Sequence, residues 1–297
     1  MDAIAEFLKV PTTEKRFSPN TIGAYRNDLR QLEKFVLDRL KADPESENTW
    51  WQLVDLALLR EYIANLHSSK DYRDATVARK VGTFKSFFNF LTREGTITEA
   101  PTKSLGSPRV VSTPPRYLSK VEISRLLDRD AHQDTPEGQR DAIILKLLYA
   151  TGLKGGELVG LNVADIDFPN SYLRCQGKGS RNRTISLDRE TKEDLRQYLE
   201  TIRPLILRRH RQDALFINYR GERLTRQWIW NVIKIFGKKA GIKDLTPFTL
   251  RHSFAVHRLQ TKTSFEEVQK MLGHASVYNT LTRYWKLTVR APLQPPL

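Results

Sequence analysis

Residues 107–116 read S-P-R-V-V-S-T-P-P-R. Pro108, Pro114 and Pro115 hold φ at about −65°, donate no backbone hydrogen bond and push the residue before them toward extended backbone. Neither a helix nor an inner strand can run through such a stretch, so it reads as a strap. Arg109 and Arg116 keep it cationic. The 297 residues on its two sides must then bury two separate cores, over about 1–106 and 118–297, with 107–117 as the linker. Two domains on such a strap can close on a partner from opposite sides.

What these domains meet is set by charge. The chain carries 49 Lys and Arg against 34 Asp and Glu, a net charge of +15, so its surface attracts polyanions. Hydrophobic residues make up 39%, enough for packed cores and against global disorder. Cys175 is the single cysteine, which rules out an internal disulfide and a cysteine-based zinc site and fits a reducing, cytoplasmic compartment. The start, M-D-A-I-A-E-F-L-K-V, lacks the long apolar run of a signal peptide, and no stretch reaches membrane-spanning length.

The first domain reads as a helical bundle. Ser18 and Pro19 open a helix whose Ile22, Tyr25, Leu29, Leu32 and Val36 trace one face. A second helix is expected over about 53–66. A third, from Thr76 to Gly95, buries Val77, Val81, Phe84, Phe88 and Leu91. Its exposed face is expected to carry Arg79, Lys80, Lys85 and Arg93. In the second domain Ser119-Lys-Val-Glu122 is a capping box, and 140–150 is a central buried helix. Two alternating runs around G-K-G-S, in Y-L-R-C-Q-G-K-G-S-R-N-R-T-I-S-L, predict a β-hairpin. Helices are expected over 189–201, 225–240, 247–260 and 264–272, and Ala214–Asn218 as one more strand. The fold class is mainly α with a small antiparallel sheet.

Four stretches of the second domain carry chemistry-bearing residues in order: T-G-L-K-G-G-E-L (151–158), G-K-G-S-R-N-R (177–183), T-P-F-T-L-R-H-S-F-A (246–255) and L-G-H-A-S-V-Y-N-T-L-T-R-Y (272–284). Together they resemble the tyrosine recombinase (phage integrase, Xer-like) family. S-P-N-T-I-G-A-Y-R-N-D-L-R and F-K-S-F-F-N-F-L-T-R-E-G resemble its core-binding helices, so the likeness covers nearly the whole chain.

The resemblance implies a two-domain DNA clamp, a helical core-binding domain plus an α+β catalytic domain. It implies strand cleavage by a tyrosine that forms a 3′-phosphotyrosyl link and frees a 5′-hydroxyl. The link stores the bond energy, so no metal or nucleotide cofactor is called for. The partners implied are double-stranded DNA and a homo- or hetero-tetramer on paired sites. Arg251 matches the family's second arginine, a forked donor for the phosphate. Lys178 matches the hairpin lysine that protonates the leaving oxygen, and His274 the second active-site histidine. Glu157 and His252 are supporting residues, His252 by packing or hydrogen bonding. Arg174, Arg181 and Arg183 join Arg79, Lys80 and Lys85 as DNA contacts. Base reading is expected to be modest, from 76–92 and 225–240.

Tyr284 is the favoured nucleophile. Tyr278 is its rival but lies too near His274 on the same short helix. The chain also departs from the family pattern. Lys154 stands at the first arginine, keeping charge but losing the planar fork. Phe248 stands at a histidine and can neither give nor take a proton. The interval from His274 to Tyr284 is one residue longer than usual. Prolines 292, 295 and 296 oppose a long helix in the tail. Two readings follow: a strand-exchange enzyme with an atypical site, or an accessory protein that keeps the clamp without the chemistry. A third, an unrelated helical DNA-binding regulator, gives no reason for L-G-H before a tyrosine.

Overall fold

The computed structural model describes residues 2–9, 19–42, 49–69, 72–109, 113–128, 135–177, 182–207 and 211–288. It divides into two compact units, Met1–Ser112 and Thr113–Leu297. No helix among the described residues is long and apolar enough to cross a membrane.

The first unit is helical. It contains α1 (Ala3–Lys9), α2 (Pro19–Leu40), a 3₁₀ turn (Thr49–Leu53), α3 (Leu56–Ser68) and α4 (Asp74–Arg93). The second helix starts later than expected, because Asp55 caps it by accepting from the Leu58 amide at 2.8 Å. The preceding 3₁₀ turn buries Trp50 and Trp51. Phe84, Phe87 and Phe88 of α4 form the centre, with Trp51 edge-on to Phe87 and Phe88. The proposed cap Ser18 lies outside the described residues.

Lys80 corrects the expected exposed face of α4. It is 1% exposed, and its ammonium reaches Asp28 Oδ1 at 3.1 Å and Gln31 Oε1 at 2.6 Å. Asp28, itself fully buried on α2, also accepts from Thr83 and from both ends of the Arg79 fork. Lys80 falls three residues after Val77 and four before Phe84, so helical periodicity puts it on the apolar face. Arg79 and Arg93 are exposed, and Lys85 is half-buried.

The second unit contains α5 (Lys120–Leu126), α6 (Pro136–Thr151), α7 (Gly155–Gly160), the three-stranded sheet β1 (Ile166–Asp167), β2 (Tyr172–Gln176) and β3 (Asn182–Ser186), α8 (Arg189–Gln197), a π-helical turn (Tyr198–Ile202) and α9 (Arg203–Leu207). There follow α10 (Arg226–Lys239), α11 (Pro247–Gln260), α12 (Phe265–Leu272) and α13 (Val277–Thr288). The sheet is antiparallel in the order β1-β2-β3, with Cys175 opposite Arg183 and Leu173 opposite Ile185. The capping box Ser119–Glu122 forms as expected. On α6, Ile144, Leu145, Leu147 and Leu148 are buried, and the helix packs against α8, α9 and α11.

The expected strand at Ala214–Asn218 does not form. Two isolated bridges occur there, Asn162 with Ala214 and Ile217 with Arg223. Carbonyls a ladder would need are taken by side chains. Leu215 O accepts from the Tyr198 hydroxyl at 3.0 Å, and Ala214 O from Arg203 at 2.8 Å.

Candidate active site

The stretch T-G-L-K builds the first wall. Helix α6 ends on Gly152, whose φ of +62° suits glycine. A Cβ there would come within 2.5 Å of Phe254 on α11, so the close approach of α6 and α11 also needs glycine. Two residues on, Lys154 is the N-cap of α7. Its amide donates to Glu157 Oε2 at 2.8 Å and its ammonium lies 3.4 Å from Glu157 Oε1. The lysine side chain is 43% exposed, so its charge is available at the surface of the turn.

Glu157 is the electrostatic centre of this wall. Arg183 of β3 donates one guanidinium nitrogen to each carboxylate oxygen, both at 2.8 Å, and Arg251 of α11 lies 3.9 Å away. Burial alone would raise the Glu157 carboxyl. The Arg183 hydrogen bonds, the Lys154 amide and the charges of Arg183 and Lys154 outweigh it and bring the pKa to about 2. Arg183 also donates to Met271 O at 2.9 Å and passes beside Gly273, where a Cβ would meet its guanidinium at 3.0 Å.

Arg251 is 4% exposed. Its two terminal nitrogens donate to Gly152 O and Leu272 O, each at 2.6 Å, which ties the end of α6 and the end of α12 to α11. Each terminal nitrogen holds a second proton, so the fork keeps donors for another acceptor. Burial lowers its pKa to about 10, against the pull of Glu157, and it stays charged at neutral pH. Lys154, Glu157, Arg226, Trp230, Phe248 and Arg251 line one open recess. Phe248 is 57% exposed there, an apolar ring on a cationic rim.

The second wall is α12–α13. Gly273, at φ +64°, closes α12 and turns the chain so that His274 follows. His274 Nδ1 lies 2.8 Å from the Thr280 hydroxyl, and its ring stacks on Tyr284 with centroids 6.5 Å apart. Tyr284 is fully buried on α13, and its hydroxyl lies 2.8 Å from Nδ1 of His252 on α11. Burial raises the Tyr284 pKa, opposed by the charges of Arg251 and Arg283. Burial, joined by Arg283 and Arg251, lowers His252 to about 4. His274 is also lowered to about 4, by burial and then by Arg251, Arg283 and Lys154. Both rings are therefore neutral at pH 7.

The phage integrase family model matches residues 116–290, and that of the phage integrase N-terminal SAM-like domain matches residues 4–95. The chain belongs to the phage integrase family, the tyrosine recombinases. It is 38% identical over 277 residues to the tyrosine recombinase XerC of Herpetosiphon aurantiacus, covering 93% of this chain and 88% of that one. It is 36% identical over 287 residues to XerD of Staphylococcus epidermidis, covering 93% and 91%. In three dimensions it resembles the Tn1549 transposon integrase solved with circular intermediate DNA. The TM-score is 0.68 at 21% identity, over 96% of this chain and 95% of that one.

Of the integrase-type residues expected from sequence, Lys154, Glu157, Phe248 and Arg251 border the recess, while His252, His274 and Tyr284 form one cluster beside Arg251. Tyr278 is 71% exposed, and no hydrogen bond joins its hydroxyl to either histidine among the described residues. Lys178 and Arg181 lie outside the described residues. Arg174 is exposed, with its guanidinium over the Tyr172 ring. Arg183 departs from its expected surface position, since its side chain is 11% exposed and spent on Glu157 and Met271. Strand alternation signals this, because Arg183 shares a face with buried Ile185. Sequence reading missed Thr280 and Arg283. Arg283 immediately precedes the tyrosine, and its charge helps lower the pKa of both histidines, a position that adjacency alone marks.

Proposed function

We propose that this chain is a site-specific DNA strand-exchange enzyme that cuts and rejoins duplex DNA through a 3′-phosphotyrosyl intermediate. The observation that carries this reading is the convergence of Arg251 of α11, His274 of the α12–α13 turn and Tyr284 of α13, beside the Lys154–Glu157 turn. A phosphodiester seated over Arg251 and Lys154 meets cationic donors held in place before it arrives, which is what a developing phosphorane charge needs. The Tyr284 oxygen attacks phosphorus, an O–P bond forms, and the bond from phosphorus to the 5′-oxygen breaks. The freed oxygen takes a proton from Lys178. His274, neutral and held by Thr280, donates to a phosphate oxygen.

The net charge of +15 supports binding to double-stranded DNA, and the Tn1549 integrase is itself solved with DNA. Assembly as a tetramer on two paired sites belongs to the same reading. Lys154 and Phe248 favour a second reading, in which the chain binds DNA as an accessory protein and does not cut it.

A nicked suicide duplex, selected from a randomised pool by gel shift with this protein, separates the two. A covalent protein–DNA band on a denaturing gel, absent in Tyr284→Phe, establishes the enzyme. A specific gel shift with no covalent band at long times establishes the accessory protein instead.

A further inference from the structure

We propose that His252 is the proton acceptor for the Tyr284 hydroxyl, taking the place left by Phe248 in this chain. The inference rests on the strand-exchange reading and adds to it the group that removes the nucleophile's proton.

Three observations carry it. His252 Nδ1 lies 2.8 Å from the Tyr284 oxygen, the distance of a direct hydrogen bond, and the two rings meet edge to face at 5.7 Å. Among the described residues, the other groups of the site are unsuited to the task. His274 stacks on the tyrosine ring and commits its Nδ1 to Thr280. Glu157 is committed to Arg183, Phe248 carries no polar atom, and Arg251 and Arg283 are donors without a lone pair to offer. Finally, α11 is rigidly held. The Thr246 cap holds its start, Ser253 accepts from the Leu118 amide at 2.8 Å, and His257 Nδ1 lies 2.9 Å from the Tyr149 hydroxyl. Successive helical residues point about 100° apart, so Arg251 and His252 present a phosphate donor and a proton acceptor from one fixed backbone.

The neighbouring charges also switch this group. Burial, joined by Arg283 on α13 and Arg251 on its own helix, keeps the imidazole neutral, while Tyr284 stays protonated. His274, between α12 and α13, is neutral as well. Without DNA the proton remains on the phenol. A phosphodiester in the recess brings negative charge that offsets Arg251 and Arg283, and the imidazole regains basicity when the nucleophile is needed. As the O–P bond forms, the phenolic proton moves to Nδ1. In the rejoining step the 5′-oxygen attacks, the tyrosine oxygen leaves, and the imidazolium returns the same proton to it.

The test compares wild type, His252→Asn and His252→Asn with Phe248→His, on the nicked duplex selected by gel shift. Covalent adduct is followed across pH 5.5 to 10. A second duplex carries sulfur in place of the scissile 5′-oxygen, a leaving group that needs no proton. His252→Asn should bind DNA like the wild type but form adduct about 10²-fold more slowly at pH 7. It should lose the acid limb of the pH profile, and the sulfur leaving group should not rescue it. Phe248→His should restore part of the rate. Wild-type rate and acid limb in His252→Asn would overturn the proposal. So would a loss that tracks weakened DNA binding or a lowered melting temperature while the pH profile is unchanged. If wild type itself forms no adduct on either duplex, the strand-exchange reading fails first and the acceptor role falls with it.

Discussion

Arg183 grips Glu157 with both terminal nitrogens of its guanidinium, each 2.8 Å from a different carboxylate oxygen. Such a bidentate pair, one partner on a strand and the other on a helix, fixes geometry as well as charge. It ties the hairpin to the Lys154 turn, and through Met271 O it also reaches the end of α12. Glu157→Gln keeps the shape but leaves Arg183, Lys154 and Arg251 facing each other without the anion. The variant should be less stable by about 3 kcal/mol, the usual cost of unbalancing a buried pair, as read from urea unfolding of the full chain. Its covalent adduct formation should fall with it.

The same carboxylate sets an acid limit. A group whose folded pKa is depressed adds stability above its unfolded value and loses it as pH falls through the folded one. Glu157 moves from 4.5 to about 2, so its share disappears between roughly pH 5 and pH 2. His252 and His274 act earlier. Their folded pKa values of about 4 lie below the usual 6.5, so the unfolded chain takes up protons first and stability drops from about pH 6.5 toward 4. Thermal melts across this range should show two stages of loss, and His252→Asn should flatten the upper one.

Lys154 meets the recess as a point charge where a planar fork would make two contacts. Lys154→Arg should raise the rate of covalent adduct formation about tenfold, within the 10²–10³ that one preorganised donor can supply. Phe248→His should add less than the product of the two single gains, because groups of one site are not additive. No gain in the double variant would contradict the placement of both residues at the scissile phosphate.

In the helical unit, Asp28→Ala removes the acceptor shared by Lys80, Arg79 and Thr83. Lys80 is then buried beside Gln31 and the Tyr72 ring without an anion. A loss of about 3–5 kcal/mol is expected, measured by urea unfolding of the full chain. Lys80→Met in the same background should recover part of it, which a DNA-contact role for Lys80 would not explain.

What could be read from the residues alone was what depends on near neighbours. The helices over 247–260 and 264–272 follow from apolar spacing and caps. The hairpin follows from alternation around its glycines. The motifs that carry the resemblance lie largely on these elements. Lys80 and Arg183 were misplaced because a charged side chain reads as solvent-facing until a buried partner is known. Asp28 lies 52 positions from Lys80, and Glu157 lies 26 from Arg183. His252 and Tyr284 are 32 positions apart, and only the packing of α13 on α11 sets a ring nitrogen against a phenol oxygen. Local chemistry thus determined these helices and the hairpin. Tertiary packing decided which charges pair and which nitrogen meets the tyrosine, because a hydrogen bond needs its two atoms within about 3 Å and chain order does not set that distance.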